Sequence, residues 1–209
     1  MYSEKVLKEE LKMKKLVILL FVLVITVTAC ILKQPTNVDK QPTNVNVTKG
    51  DKMVDTTKEN TLYLDLDYGR VVIEMLPDVA PNHVKRIKEL TRKGFYNGIK
   101  FHRVIDGFMA QTGDPTGTGM GGSGQKLKAE FNDTPHSRGA VSMARASDPD
   151  SADSQFFICF KDANFLDGNY TVWGKVVEGM EYVDMIKRGE PPVNPDIIVK
   201  MQVAADVKE

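Results

Sequence analysis

The feature that most constrains the fold is a strict two-residue alternation that begins at Thr61. Leu62, Leu64 and Leu66 alternate with more polar residues, and a second alternating run follows Gly69. Two such runs around a glycine predict a β-hairpin. Further short strand-like runs lie at 100–104, 108–112, 139–144, 155–160, 171–177 and 197–203.

Helical signals are confined to two segments. Asp78 is placed to cap a helix that has Pro81 in its first turn, and Gly94 ends this helix. Its apolar residues recur at three-residue steps: Val84, Ile87 and Leu90. A second helix fits 180–187. Many short strands with two helices predict a mainly β fold, either a closed antiparallel barrel or a sandwich, and the pattern alone does not separate these.

The composition excludes several classes of protein. The 209 residues include 28 Lys+Arg and 28 Asp+Glu, and a net charge of zero argues against a nucleic-acid-binding protein. A hydrophobic content of 42% is too high for a disordered chain. Two cysteines and three scattered histidines exclude a disulfide framework and argue against a structural zinc site.

The first 29 residues have the pattern of a secretory signal peptide. An uncharged apolar run at 16–29 follows three lysines. A membrane-spanning helix needs about 20 apolar residues, so this run is short for a permanent anchor. We therefore predict a signal peptide at 1–29, which starts at either Met1 or Met13.

The apolar run ends in Val27-Thr28-Ala29-Cys30, which resembles the lipobox of bacterial lipoprotein precursors. The resemblance implies cleavage before Cys30, a lipid on its sulfur, and a location at the cell membrane facing outside the cytoplasm. The alternative is an uncleaved apolar segment with a chance cysteine. Without residues 1–29 the chain has 23 basic and 25 acidic residues, a net charge of −2. A lipid rather than a basic patch would therefore hold the protein at the membrane.

Residues 30–60 are predicted to be a flexible tether. They are polar and contain no aromatic residue, and 34–40 is nearly repeated at 41–47. Two copies are too few for a solenoid, and such polar segments cannot offset the entropy of ordering. A coil of this length would reach on the order of 30 Å. The globular domain is then expected at 61–209.

Four motifs in the domain carry a resemblance. Residues 96–114 read YNGIKFHRVIDGFMAQTGD, 154–159 read SQFFIC, 165–168 read FLDG and 172–176 read VWGKV. These motifs, in this order, resemble those of the cyclophilins, a family of peptidyl-prolyl cis-trans isomerases. The resemblance covers residues 61–203. The resemblance implies a closed eight-stranded antiparallel β-barrel capped by two α-helices, no cofactor, and proline-containing polypeptides as substrates.

The resemblance also assigns the site residues. Arg103 would contact the substrate carbonyl before proline, and Gln111 would orient the substrate backbone. The family's proline pocket corresponds to Phe108, Met109, Phe157 and Leu166, and the edge beside the peptide to Ala144, Arg145 and Ala146. Phe165 and Tyr170 occupy pocket positions where many members have Trp and His. The neighbouring Phe101, Phe156 and Ile158 alternate to the other strand face and are assigned to the core.

These residue types suit rotation about an X–Pro bond. The barrier of ~20 kcal/mol arises because amide resonance is lost in the twisted transition state. An apolar socket for the proline ring and one fixed donor meet this requirement, with no nucleophile or metal. Arg103 fits the donor because its guanidinium is planar and always charged. The gain comes from orientation and electrostatic stabilisation.

Other motifs are rejected as sites. Residues 117–122 match GxGxxG, but a charged segment follows instead of a helix, so we expect a flexible loop beside the active site. Residues 148–153 lack the glycine of a calcium loop and are expected to be a solvated turn. His83, His102 and His136 lack metal spacing, and His102 is assigned a structural hydrogen-bonding role. Cys159 is assigned to the core. We predict no metal.

Two classes of function remain. The first is an enzyme, a membrane-anchored prolyl isomerase that acts outside the cytoplasm on folding or exported proteins. The second is a binding module that grips a proline-containing loop, with incidental turnover. The complete set of Arg103, Phe108, Met109 and Gln111 favours the enzyme, because a pure binder would not need a cation against the amide. A structural lipoprotein would not explain the motifs. We also expect a monomer that does not bind nucleic acid.

Overall fold

The structure is a computed structural model that describes residues 56–208. Within this range one antiparallel sheet contains eight strands: β1 (Thr61–Leu66), β2 (Gly69–Met75), β3 (Arg103–Ile105), β4 (Met109–Thr112), β5 (Ala140–Met143), β6 (Phe156–Cys159), β7 (Val172–Glu178) and β8 (Lys200–Val203). The same range contains three α-helices: α1 (Thr56–Glu59), α2 (Pro81–Arg92) and α3 (Met180–Asp184). The predicted signal peptide, Cys30 and the tether as far as residue 55 lie outside the described residues.

The strand order is β3-β4-β6-β5-β7-β2-β1-β8, which places β3 and β8 at the two edges. The segments that precede these strands join the edges: Lys100 forms a bridge with Ile197, and the Phe101 amide donates to the Asp196 carbonyl at 2.9 Å. The mainly β, eight-stranded antiparallel prediction is confirmed. Closure is approximate, because the strand-like segments 100–104 and 197–203 meet here through an isolated bridge and not through a regular ladder.

The β1–β2 hairpin is confirmed. Leu62 lies opposite Ile73 and Leu64 opposite Val71, and these residues are buried. The interior of the sheet also contains the three residues assigned to the core from their strand face: Phe101, Phe156 and Ile158, each 0% exposed. Cys159 is buried on the opposite face of the sheet, beside Met109 and Phe157, and burial raises the pKa of its thiol to about 12.

Helix α1 lies among the last residues of the predicted tether. The Glu59 carboxylate accepts from Arg92 at 2.8 Å and lies 3.1 Å from the Lys88 ammonium, so α1 is tied to α2. Helix α3 ends at Asp184, three residues before its predicted end. The next turn is tighter, since the Ile186 amide donates to the Val183 carbonyl at 3.2 Å. Among residues 56–208, no helix has the length and apolar character needed to cross a bilayer.

The start of α2 differs from the prediction. Ala80 occupies the N-cap position without a side-chain hydrogen bond, and Asp78 is exposed. The cap comes instead from Glu130, whose carboxylate accepts from the Asn82 amide at 3.1 Å and the His83 amide at 3.0 Å. The His83 ring also donates from Nδ1 to Glu130 at 2.6 Å. A carboxylate from a distant loop therefore satisfies the free N–H groups of the first turn.

We expect Glu130→Ala to destabilise the domain by about 2 kcal/mol, because it removes the cap and leaves the buried His83 without its partner. Asp78→Ala should change the stability by less than about 0.5 kcal/mol, as for other exposed side chains. Urea denaturation of both variants beside the wild type measures this. If Asp78→Ala lost more stability than Glu130→Ala, Asp78 and not Glu130 would be the residue that caps α2.

Candidate active site

Strand register places the candidate site on one face of three adjacent strands. Arg103 on β3 lies opposite Gln111 on β4, and Gln111 lies opposite Phe157 on β6. Directly opposed residues project from the same face, and residues two positions along do so as well. Met109 therefore shares this face, whereas Ile158 projects into the interior. The site is built on the outer face of the sheet and the core on the inner face.

Two side chains hold the Arg103 guanidinium. Its NH1 group donates to the Gln111 side-chain oxygen at 3.4 Å, and its Nε donates to the Glu190 carboxylate at 2.8 Å. The Arg103 side chain is 42% exposed, so it can meet a peptide. Gln111 in turn donates to the Gln155 side-chain oxygen at 2.9 Å. The predicted catalytic pair is therefore in contact, and Glu190 and Gln155 were not predicted as partners.

A second apolar cluster lies on this outer face. Met109, Phe157 and Leu166 are among its buried members, and Phe108 and Tyr170 are among the partly buried residues that pack against it. The Phe157 and Tyr170 rings are nearly perpendicular, with centroids 5.9 Å apart. The four residues that the resemblance assigns to the proline pocket are thus brought together with Tyr170.

His136 supports the floor of this cluster. Its ring stacks on Phe157 with centroids 6.1 Å apart, and it is completely buried. Its ring nitrogens are hydrogen-bonded to the Asp167 carboxylate at 2.8 Å and the Ser142 hydroxyl at 3.0 Å. Hydrogen bonds from the His136 backbone and side chain lower the pKa of Asp167. A histidine without metal spacing therefore fixes the orientation of a pocket aromatic ring.

Phe165 lies at the rim of the cluster and not inside it. It is 71% exposed, and its ring contacts the Phe108 ring with centroids 5.4 Å apart. Its neighbour Leu166 is buried in the cluster, because the short 3₁₀ turn Asn164–Leu166 directs consecutive side chains differently. Phe165 is therefore placed to cover a bound group from outside.

Residues 144–146 lie beyond the end of β5, so the predicted strand-like edge is an extended loop. The Ala144 amide still donates to the Gln155 carbonyl at 2.9 Å. Together with Gln111, residues 144–146 line a cavity of about 400 Å³. Arg145 lies over the Tyr170 ring at 4.7 Å and donates to the Asn169 carbonyl at 2.9 Å. Its guanidinium thus connects the wall of this cavity to the apolar cluster.

The glycine-rich loop at 117–122 forms another wall of the cavity, beside the site as predicted. Its backbone is organised by the buried Asp114 carboxylate, which accepts from the Thr116 amide at 2.7 Å and the Gly119 amide at 2.6 Å. The Gln155 side chain donates to the Gly119 and Gly121 carbonyls at 3.0 and 2.8 Å. Asp114 therefore acts on Gln111 through the loop and Gln155.

Burial raises the pKa of Asp114, but hydrogen bonds from Thr116, Gly121 and Gly119 outweigh this effect and lower the pKa to about 2. The bonds thus stabilise the ionised form, in which both oxygens act as acceptors.

Helix α2 holds the same loop from the other side. Arg86, which is buried, donates to the Ser123 hydroxyl at 2.7 Å. Asp153 accepts from the Ser123 amide at 2.8 Å and from the Ser123 hydroxyl. Asp153 and the loop both line the cavity, so the buried arginine links α2 to the cavity wall.

The remaining histidine lies next to Arg103, and the acidic turn follows the loop at 144–146. The His102 ring is buried, and its structural hydrogen-bonding role stays a prediction. Burial lowers the pKa of its ring. Residues 148–150 are exposed at the 3₁₀ helix Pro149–Ser151, whereas Ala152 is buried and Asp153 is half-buried, so the predicted solvated turn is only partly exposed. Within 56–208 there is no cluster of three His, Cys, Asp or Glu side chains placed to hold a metal.

Comparison with known proteins identifies the family. The family model described as "Cyclophilin type peptidyl-prolyl cis-trans isomerase/CLD" matches residues 61–203. A "Probable peptidyl-prolyl cis-trans isomerase" of Brucella suis is 51% identical over 167 residues, which are 72% of this chain and 85% of that protein. "Peptidyl-prolyl cis-trans isomerase B" of Bacillus subtilis is 42% identical over 126 residues, which are 59% of this chain and 87% of that protein.

A solved structure agrees. The cyclophilin AquaCyp293 from Hirschia baltica superposes with a TM-score of 0.67 at 32% identity and covers 72% of this chain and 76% of that chain. The chain belongs to the cyclophilin family, and it is a cyclophilin-type peptidyl-prolyl cis-trans isomerase.

We expect Asp114→Asn to lower both the stability and kcat/KM, because an amide nitrogen cannot accept the loop N–H groups. The loss of stability at neutral pH should be about 1–3 kcal/mol. The stabilisation by Asp114 is complete above the ordinary pKa of 3.8 and is lost as the pH falls toward about 2. Urea denaturation between pH 6 and 2 measures this. Wild type should lose its advantage over Asp114→Asn in that window, and a constant difference would contradict the assignment.

The matched control is Asp133→Asn, since Asp133 is an exposed residue of the same connection. It should leave both the stability and its pH dependence unchanged.

Proposed function

We propose that this cyclophilin accelerates X–Pro rotation on the outer face of its sheet, with Arg103 as the donor and the apolar cluster as the proline socket. Its substrates would be folding or exported polypeptides outside the cytoplasm. The observation that carries the proposal is the Arg103–Gln111–Phe157 row, which puts an exposed cation, a polar amide and a buried aromatic ring side by side on one surface.

The geometry suits a non-covalent mechanism. A proline ring that packs on Met109 and Phe157 would place its amide near Arg103 and Gln111. Phe108, Phe165 and Tyr170 would shield the ring from water, which strengthens the interaction between the guanidinium and the substrate. The guanidinium would then favour the twisted amide, whose nitrogen has lost its resonance and become pyramidal. Gln111 and the extended loop at 144–146 would align the substrate backbone, and this lowers the entropic part of the barrier.

We expect Arg103→Ala to lower kcat/KM by about 10²–10³-fold, the scale for the loss of one preorganised donor. A protease-coupled assay on a proline peptide measures this with residues 56–209 and with the full chain. The matched control is Arg70→Ala, because Arg70 is an exposed arginine that pairs with Asp65 in the β1–β2 hairpin, away from the site. Circular dichroism should show an unchanged fold in both variants. Turnover near that of wild type in a folded Arg103→Ala protein would exclude Arg103 as the donor.

We further propose that a lipid on Cys30 holds the enzyme at the cell membrane, with the domain outside the cytoplasm at the end of the tether. The basis is the apolar run at 16–29 and the lipobox-like sequence that ends in Cys30. The proposed state of the domain is a monomer, which light scattering of residues 56–209 tests.

We expect Cys30→Ser to abolish the uptake of labelled fatty acid and to leave the precursor uncleaved at that position, because the serine hydroxyl cannot form the thioether. Metabolic labelling in a bacterial host, followed by membrane fractionation, compares the two proteins. Equal fractionation of the two proteins with no label in either would show that no lipid is attached.

A further inference from the structure

The ion pair between Arg103 and Glu190 joins the proposed donor to a residue far along the chain. The Arg103 Nε donates to Glu190 at 2.8 Å, while NH1 donates to Gln111 on another edge of the guanidinium. A planar group held at two edges has little freedom to rotate. Two side chains therefore set the plane in which the remaining N–H groups point.

Glu190 extends from a segment that is fixed against β3. Gly189 and Val104 exchange both backbone hydrogen bonds at 2.8 Å. A side chain at Gly189 would be excluded, because a Cβ there would lie 2.5 Å from the Cα of Pro192. The preceding Arg188 donates to Asp106 at 3.1 Å, on the turn after β3. The carboxylate is thus presented to Arg103 by a segment that is itself anchored on both sides.

The carboxylate also faces the space that a peptide would occupy. Glu190 lines a cavity of about 500 Å³ together with Arg103, Gln111, Pro191 and the loop at 117–119. Its side chain is 52% exposed, so its charge reaches solvent as well as Arg103. Among the residues that line this cavity, Glu190 is the acidic one. A substrate bound at Arg103 would therefore meet a negative charge beside the guanidinium.

We infer that Glu190 is a positioning residue for Arg103 and that its charge makes the site prefer a basic to an acidic residue next to the substrate proline. The inference rests on the proposed role of Arg103. Glu190 has two separable properties here: as an acceptor it holds Nε, and as an anion it acts on charged neighbours of the proline.

Glu190→Ala and Glu190→Gln separate these properties. Alanine removes both the acceptor and the charge, whereas glutamine keeps an acceptor and loses the charge. The variants are assayed in the full chain with matched peptides that carry Lys, Gln or Glu on either side of one proline. With the neutral peptide, Glu190→Ala should lower kcat/KM about two- to fivefold, the scale of an exposed ion pair, and Glu190→Gln should lower it less.

The charge preference is the measurement that a purely structural role would not change. Wild type should prefer the Lys peptide to the Glu peptide about two- to fivefold at low salt, and the preference should shrink at high salt. Both Glu190 variants should lose it. The matched control Glu178→Gln, at an exposed position on β7, should keep the wild-type preference.

Three results would overturn the inference: equal rates for the three peptides in wild type, an unchanged preference in Glu190→Gln, or undiminished activity of Glu190→Ala on the neutral peptide. Arg103→Ala is measured in the same series. If it is fully active, the proposed role of Arg103 fails. If it is impaired while the Glu190 variants behave as wild type, the inference about Glu190 fails and the role of Arg103 stands.

Discussion

The site depends on the register of three short strands. Arg103, Gln111 and Phe157 meet because β3, β4 and β6 pair directly opposite one another at these positions. A shift of one residue in either pairing would turn the site residues into the interior and expose core residues such as Ile158. The buried core on the inner face therefore enforces the alignment of the outer face, and the energy that fixes the register comes from residues that never touch a substrate.

Acidic side chains organise the segments that have no regular secondary structure. The long connection between β4 and β5 contains the glycine-rich loop and the residue that caps α2, yet it forms no strand or helix of its own. Asp114 and Asp153 accept several backbone N–H groups from this connection, and Glu130 accepts the first free N–H groups of α2. These carboxylates satisfy backbone donors that a sheet or helix would otherwise satisfy.

Local pattern and family motifs were enough to predict much of the fold and the grouping of the site residues. The alternation at 62–66 predicted the first hairpin, and strand faces separated Ile158 from its neighbours. The contacts that were missed join residues distant in sequence. Glu130 caps a helix 48 residues earlier, and Glu190 lies 87 residues after Arg103, so no local spacing indicates either contact. Asp78 had the right residue type beside Pro81 but does not bond to the helix.

Arg86 also makes a contact with a residue that is distant in sequence. The Arg86 side chain extends from α2 to Ser123, and this contact can be seen only in the folded chain.

The strands predicted at 100–104 and 197–203 were too long. Their first residues join the sheet edges by an isolated bridge, because regular pairing does not continue there.

The division of β3, β4 and β6 into an inner and an outer face bears on how such a protein can diverge. Because successive residues in these strands serve different faces, a substitution at an outer position changes what the surface recognises while the packing inside is left as it was. Phe165 and Tyr170, which stand where many cyclophilins have Trp and His, lie on the outer side of this division, and Phe165 is mostly exposed. Side chains at rim positions of this kind can therefore be exchanged while the contacts of the inner face stay as they are.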